Sequence, residues 1–187
     1  MRNVEFLGKM PDPFKKEDGT RMTPEEWNEK RDEIRNMVVD FEYGGMPPRP
    51  EYVDFERLNV GAGGQTSTWY RVKAGKKDKY ITFNLEIMKN VSEDEKYPVL
   101  LTGDGCYNNL ESDTMTEAFN RGYVVAKFNR LELANDTRET RERKGPLFEL
   151  YPEYPDFTAI SAWAWGYSVC MDVFEKISYT DETEVGI

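Results

Sequence analysis

One short run near the end of the sequence has almost the spacing of a catalytic serine. Gly166-Tyr167-Ser168-Val169-Cys170 is one residue short of G-x-S-x-G, a strained strand-to-helix turn that presents a nucleophilic serine. That turn needs a strand before the serine and small residues on both sides of it. Ser168 instead lies inside an apolar pattern of helical spacing. The pattern therefore predicts an ordinary helical serine rather than a nucleophile.

The chain contains no histidine, which removes several chemistries at once. No triad or dyad with an imidazole base can form within it, and no metal site can use a histidine ligand. The two cysteines, Cys106 and Cys170, are too few and too far apart for a zinc site or a disulfide framework. Free buried thiols are expected, with a single bridge between them as the alternative. We predict no metal and no cofactor.

Charge and hydropathy exclude further classes of function. The net charge is −10, and phosphate recognition needs clustered lysine and arginine, so we expect no nucleic-acid partner. No apolar run reaches the length of a membrane span, so we expect no membrane partner. The opening MRNVEFLGKM lacks the apolar core of a secretory signal, which leaves the compartment open: cytoplasmic as written, or exported with the signal removed.

The elements that must position any site follow a clear order. A helix is predicted after Thr23, with Pro24 first, Glu26 closing a capping box and Gly44-Gly45 ending it. Antiparallel strands follow in VDFERLNVGA, STWYRVKAG and KYITFNLEIMKN. The second half alternates strands and helices: PVLLTGDG, SDTMTEAFNRG, YVVAKFNR, the apolar helix DFTAISAWAWGYSVCMDVFEKI and the strand start EVGI. This order implies a parallel sheet with right-handed crossovers.

Two regions stand apart from this pattern. Residues 131–156 show no clean periodicity and are predicted to be a long loop. Residues 1–50 are predicted to be an N-terminal helix and a proline-rich linker that wrap the domain. Residues 51–187 are predicted to form one structural domain that is incomplete.

Five stretches of the chain carry a family likeness. They are MPDPFKKEDGTRMTPEEWNEKRDEIRNMVVDFEYGGMPPRPE, YPVLLTGDG, GYVVAKFNRLELAND, LYPEYPDFTAISAWAWGYSVCMDVFE and DETEVGI. Together they resemble the N-terminal part of the glucuronoyl esterases, carbohydrate esterase family 15, and related bacterial α/β-hydrolases. The resemblance implies an α/β fold: the N-terminal portion of an α/β-hydrolase sheet, antiparallel strands first and then parallel β-α-β-α-β, with an N-terminal helix.

In that family, a G-x-S-R-x-G-K elbow follows the strand that begins here at Val185. The resemblance implies that its serine is the nucleophile, that the next arginine helps stabilise the oxyanion, and that a later acid and histidine complete the triad. None of these positions is present in the 187 residues. We therefore expect the N-terminal part of a serine ester hydrolase, truncated before the elbow, with no catalytic side chain and no activity alone.

The resemblance assigns a functional role to one loop of this sequence. The run Gly103-Asp104-Gly105-Cys106, after PVLL, matches the place where α/β-hydrolases put a backbone N–H for the oxyanion. The alternative is a tight turn that simply needs glycine.

Three charged residues lie near the same predicted edge. Arg130, at the end of the next strand, lies where the active sites of open sheets gather. It is a candidate for meeting an anionic sugar, and the alternative is a solvated surface arginine. Asp104 and Glu132 could form an acid pair for glycosidic chemistry, although their spacing does not single them out.

Three functions are weighed on these features. The first is the ester hydrolase part, which acts in the complete protein on glucuronate esters of plant cell-wall xylan. The second is a non-catalytic interaction or scaffold module, which associates with a complementary C-terminal chain or with itself. It would use an open apolar strand edge at 185–187 and an incompletely covered helix at 157–178. The third is a carbohydrate-binding module that rests on aromatic residues: Trp69, Tyr70, Tyr107, Tyr151 and Tyr154.

Overall fold

The order of strands in the sheet determines where the chain can build a site. A computed structural model describes residues 8, 12–58, 67–89, 92–105, 110–137 and 142–187. The strands are Tyr52–Arg57 (β1), Ser67–Gly75 (β2), Tyr80–Met88 (β3), Tyr97–Thr102 (β4), Val124–Phe128 (β5) and Thr180–Gly186 (β6). The helices are Pro24–Tyr43 (α1), Ser112–Asn120 (α2), Pro146–Leu150 (α3) and Ala159–Phe174 (α4), with a 3-10 turn at Arg130–Glu132.

The six strands form one mixed sheet in the order β1-β2-β3-β5-β4-β6. β1, β2 and β3 pair antiparallel in succession, and β3 also pairs antiparallel with β5, where Leu85 lies opposite Phe128. β4 pairs parallel with β5 on one side and with β6 on the other. The predicted order, antiparallel and then parallel, is confirmed. The carboxyl ends of β4, β5 and β6 therefore lie at the same edge of the sheet, called here the C-terminal edge.

α1 begins and ends where its sequence predicts. The Thr23 hydroxyl accepts the Glu26 N–H at 3.3 Å, and the Glu26 carboxylate accepts the Thr23 N–H at 2.9 Å, which completes the capping box. Gly44 ends the helix in the left-handed conformation, with φ of 70°. The large apolar residues of α1 do not enter the core, because no residue of the helix is buried and Met37 is 61% exposed; they are Trp27, Ile34, Met37, Val38 and Phe41.

Residues 43–49 run along the outer side of α4 and are called here the strap. The Ser161 hydroxyl contacts the carbonyls of Tyr43 and Gly45 at 3.2 and 2.7 Å. The Trp165 indole N–H donates to the Pro48 carbonyl at 2.9 Å. The sheet covers the other side of α4. The strap therefore covers part of the outer side of α4, while Ile160 of the same helix is 52% exposed.

α4 lies close to Phe128 of β5 at Gly166. A Cβ at this position would lie 2.3 Å from Leu133 Cδ1 and 2.8 Å from Phe128 Cε2. The next turn carries Ser168, which is exposed and whose hydroxyl donates to the Ala164 carbonyl at 3.2 Å. The prediction of an ordinary helical serine is confirmed. Cys170 is a free, fully buried thiol, and burial raises its pKa.

The predicted loop 131–156 needs correction. It contains the 3-10 turn and α3, which buries Leu147, Phe148 and Leu150. A helix of five residues is too short to produce a visible period in the sequence, although Pro146 at its start is a helix signal.

The edge strand β6 also differs from expectation. β6 begins at Thr180, four residues before the predicted strand start EVGI, and the added residues TDET are polar, so that the strand carries three acidic residues in total. Lys96 pairs with Glu182 at 2.6 Å, and only Val185 and the exposed Ile187 are large and apolar. Charged side chains on an edge strand oppose indiscriminate pairing. Over the part of the chain that the structure describes, no helix is long and apolar enough to cross a membrane.

Candidate active site

The turns that follow β4 and β5 are tied together at the C-terminal edge. The Gly105 N–H donates to the Phe128 carbonyl at 3.0 Å, and the Arg130 N–H donates to the Gly103 carbonyl at 3.1 Å. A Cβ on Gly105 would lie 2.8 Å from the Phe128 carbonyl oxygen, so this close approach requires glycine. The structure therefore brings the predicted oxyanion loop and Arg130 side by side.

Each described N–H of the predicted oxyanion loop already has an acceptor. The Gly103 N–H donates to the Tyr167 hydroxyl at 2.7 Å, and the Asp104 N–H donates to the Thr102 hydroxyl at 3.3 Å. The third N–H donates to β5, as described above. Cys106 lies outside the described residues. A direct role of this backbone in holding an oxyanion stays a prediction.

Arg130 is enclosed by charged and aromatic groups. Its guanidinium forms an ion pair with Asp104 and lies 3.4 Å from the Asp136 carboxylate, and its side chain is 16% exposed. Its Cζ lies 4.6 Å from the centre of the Trp163 ring. The Trp163 indole N–H donates to the Ala134 carbonyl at 2.9 Å, which fixes the ring. Arg130 is therefore not a solvated arginine, and it links the oxyanion loop to α4. Contact with an anionic sugar stays a prediction.

Glu132 has a separate environment. Its carboxylate accepts both the backbone N–H and the side-chain amide of Asn84 at 3.2 Å. Burial raises its pKa, against the effect of these bonds and of Arg71. Asp104 pairs instead with Arg130. The two carboxylates thus have different partners, and no described contact makes them an acid pair.

A cleft of about 680 Å³ opens at the start of α4. Phe148 and Phe157 stack at 4.9 Å on one wall, and the Arg143 guanidinium lies 4.6 Å from the Phe148 ring. Trp163 and Asp136 also line the cleft. Because both residues contact Arg130 as well, the cleft adjoins the C-terminal edge.

Three residues of this region escaped the sequence reasoning: Asp136, Trp163 and Tyr167. A weak signal was present, because tyrosine and tryptophan inside an apolar helix must find partners for their polar atoms. Within the described ranges, no three His, Cys, Asp or Glu side chains are grouped so as to hold a metal ion.

The aromatic residues of the carbohydrate-binding hypothesis do not share one exposed face. Tyr70 and Tyr151 are buried, whereas Trp69 and Tyr154 are 40% and 43% exposed. Tyr107 lies outside the described residues.

Comparison with known proteins agrees with this geometry. The mixed sheet, the helices and the C-terminal edge place the chain in the α/β-hydrolase class. A family model described as glucuronyl esterase, fungi, matches residues 72–187, and the chain belongs to this family.

Relatives and solved structures extend the match beyond the family model. A 4-O-methyl-glucuronoyl methylesterase of Schizophyllum commune is 29% identical over 170 residues, which cover 89% of this chain and 39% of the relative. One from Phanerochaete carnosa is 25% identical over 177 residues, covering 92% and 40%. The glucuronoyl esterase of Solibacter usitatus superposes with a TM-score of 0.69 at 21% identity, covering 95% of this chain and 56% of that structure. The chain thus spans about 40% of these curated relatives.

Proposed function

We propose that this chain forms the N-terminal part of a serine carboxylic ester hydrolase that acts on glucuronate esters of plant cell-wall xylan. The observation that carries this proposal is the family match over residues 72–187. The C-terminal edge supports it, since open α/β sheets bind their ligands outside the carboxyl ends of the strands. The cleft beside Trp163 offers room for a sugar ester next to that edge.

In this proposal the chain supplies the loop after β4 and the cleft, but neither the nucleophile nor the base of the triad. It contains no histidine that could act as the base. Its only serine near a nucleophile motif, Ser168, is held in the middle of α4 by its bond to Ala164. We therefore expect the chain alone to be inactive.

The partner that fits best is a complementary C-terminal hydrolase segment. Among the described strands, only β4 pairs with β6, and the matched relatives are more than twice as long as their match. Self-association through β6 is less favourable, because antiparallel pairing of two identical strands would bring acidic residues together. An interaction module remains the second candidate, because α1 exposes Met37, Val38 and Phe41 on one stripe.

The test uses a methyl ester of glucuronic acid as substrate. Purified 1–187 is assayed alone and after mixing with the polypeptide that follows the matched region in the Schizophyllum commune relative; this mixture is called the two-part enzyme. Sedimentation runs alongside. We expect no hydrolysis by 1–187 alone, and hydrolysis together with a 1:1 complex in the mixture.

Other outcomes would contradict specific parts of the proposal. Hydrolysis by 1–187 alone that Ser168→Ala abolishes would show that the chain carries its own nucleophile. A complex without hydrolysis of any glucuronate ester would favour the interaction module. A stable homodimer of 1–187 that excludes the added segment would overturn the choice of partner.

A further inference from the structure

Tyr167 places a phenol hydroxyl at the C-terminal edge. Its oxygen accepts the Gly103 N–H at 2.7 Å. Its ring lies edge-on to Phe128, with the ring centres 5.0 Å apart and the planes at 84°. The close approach of α4 to the sheet at Gly166, one residue earlier, fixes the helix beneath it. The hydroxyl is therefore held at the loop after β4 by contacts on both the oxygen and the ring.

The hydroxyl still has a hydrogen to donate. A phenol that accepts one hydrogen bond retains its own O–H as a donor. Within the described part of the chain, no group accepts a bond from Tyr167, and the residue is partly exposed. Because the Gly103 N–H donates into the oxygen, it polarises the hydroxyl and makes its O–H a stronger donor.

The neighbouring backbone donors are already engaged. The N–H groups of Gly103, Asp104 and Gly105 donate to Tyr167, Thr102 and β5, respectively. Among the described groups of this loop and its contacts, the Tyr167 and Thr102 hydroxyls each keep an O–H that can serve a ligand, and Tyr167 receives the shorter bond from the loop, 2.7 Å against 3.3 Å. The Gly103 N–H then donates to the tyrosine oxygen, and the tyrosine O–H donates to the ligand.

We propose that the Tyr167 hydroxyl donates a hydrogen bond to the ester carbonyl oxygen as that oxygen becomes the tetrahedral oxyanion. This inference rests on the proposed ester hydrolase function. Tyrosine hydroxyls are among the side chains that stabilise such charge, and a donor aimed at it acts most strongly in the transition state. The tyrosine keeps its proton throughout, so no bond to Tyr167 forms or breaks.

The first test compares Tyr167→Phe with the wild type in the two-part enzyme. Phenylalanine keeps the ring against Phe128 and removes only the hydroxyl. We expect kcat on the methyl glucuronate ester to fall roughly 10²- to 10³-fold, the usual loss for one oxyanion donor, with little change in KM. Ser168→Ala, the next residue on the same helix, is the matched control and should keep wild-type kcat.

A purely structural role gives a different result. Tyr167→Phe would then lower the midpoint of urea unfolding, because the Gly103 N–H loses its acceptor, while kcat per folded molecule would stay within threefold of the wild type. That result would overturn the proposal. If the wild-type two-part enzyme hydrolyses no glucuronate ester, the proposed function fails and this inference fails with it.

A second variant keeps the test valid if Tyr167→Phe does not fold. O-Methyltyrosine at position 167 keeps the ring and the oxygen that accepts the Gly103 N–H, but it has no O–H to donate. We expect the same fall in kcat of roughly 10²- to 10³-fold. A kcat within threefold of the wild type would contradict the role of this hydroxyl.

Discussion

At the scale of single residues, Arg130 holds together three parts of the chain that are distant in sequence. It pairs with Asp104 after β4, approaches Asp136 beyond β5 and stacks on Trp163 of α4. Planar stacking and a forked donor distinguish arginine from lysine at such a site. The residue therefore determines how the oxyanion loop and the cleft are placed relative to each other.

Replacing Arg130 by methionine should lower the free energy of unfolding by about 1–2 kcal/mol. The loss combines the stacking on Trp163 with two ion pairs whose carboxylates are partly exposed, which limits the contribution of each pair. Urea unfolding measures it. The matched control is Arg121→Met, since Arg121 is 70% exposed and, within the described residues, forms an ion pair only with Glu117 of the helix that it caps. The expected loss is about 0.5 kcal/mol or less. Equal losses in the two variants would contradict the linking role.

The residue scale also marks a limit of sequence reasoning. The Ser168 environment was predictable, because the residues that decide it are its neighbours in one helix. The contact between Gly103 and Tyr167 spans 64 residues, and no local pattern encodes it. Resemblance located the loop after β4 but did not reveal that its N–H groups are already engaged.

At the scale of elements, the close packing of α4 on the sheet depends on a glycine, Gly166, which has no side chain. Gly166→Ala would bring a Cβ against Leu133 and Phe128, which are 0% and 1% exposed and have no room to move. Overpacking of this kind costs about 1–3 kcal/mol, and the better helix propensity of alanine offsets about 1 kcal/mol of it. Because both neighbours are fully buried, we expect a cost at the upper end, about 2–3 kcal/mol. The net loss in the free energy of unfolding, measured with urea, should then be about 1–2 kcal/mol.

The control for this change lies two residues further along the same helix. Ser168→Ala also gains helix propensity, though less than Gly166→Ala, at an exposed position and should be neutral or slightly stabilising. If Gly166→Ala were as stable as Ser168→Ala, α4 would not be pressed against β5 as described.

Elements with strong local signals were predicted well. The capping box of α1 and the alternation in β2 and β3 are decided within a few residues, so the sequence alone was sufficient. α3 was missed because five residues contain too little of a helical period. The start of β6 was predicted four residues too late, because the polar residues TDET lack the apolar run that indicates a strand.

At the scale of the whole molecule, the strap and α1 make very different contributions. The strap accepts the hydrogen bonds of Ser161 and Trp165 and covers Trp165, which is 2% exposed. α1 buries none of its residues. A chain that begins after the predicted boundary at residue 50 would lack both the strap and α1. Two shortened chains are therefore needed to separate their contributions to stability.

We expect the free energy of unfolding of 43–187 to lie within about 1 kcal/mol of that of the full chain, since this shortened chain loses only α1 and the residues before it. By contrast, the free energy of unfolding of 51–187 should be lower by about 3 kcal/mol or more, because Trp165 is uncovered and the hydrogen bonds to the strap are lost. Urea unfolding followed by tryptophan fluorescence measures both. If 51–187 unfolded at the same urea concentration as 43–187, residues 1–50 would be a separable segment and would not wrap the domain.

The strap also has a consequence for synthesis on the ribosome. Tyr43 and Ser161 are 118 residues apart, so at about 5–20 residues per second the strap waits on the order of 6–24 s for α4 to be made. During that interval it has no partner helix to lie on. Pro47 and Pro48 of the strap, and Pro50 just after it, lack backbone N–H groups. The strap is therefore a poor template for β pairing with other nascent chains before α4 is made. The prolines therefore protect the segment before it is used, and they leave its carbonyls free to accept the bonds that α4 later donates.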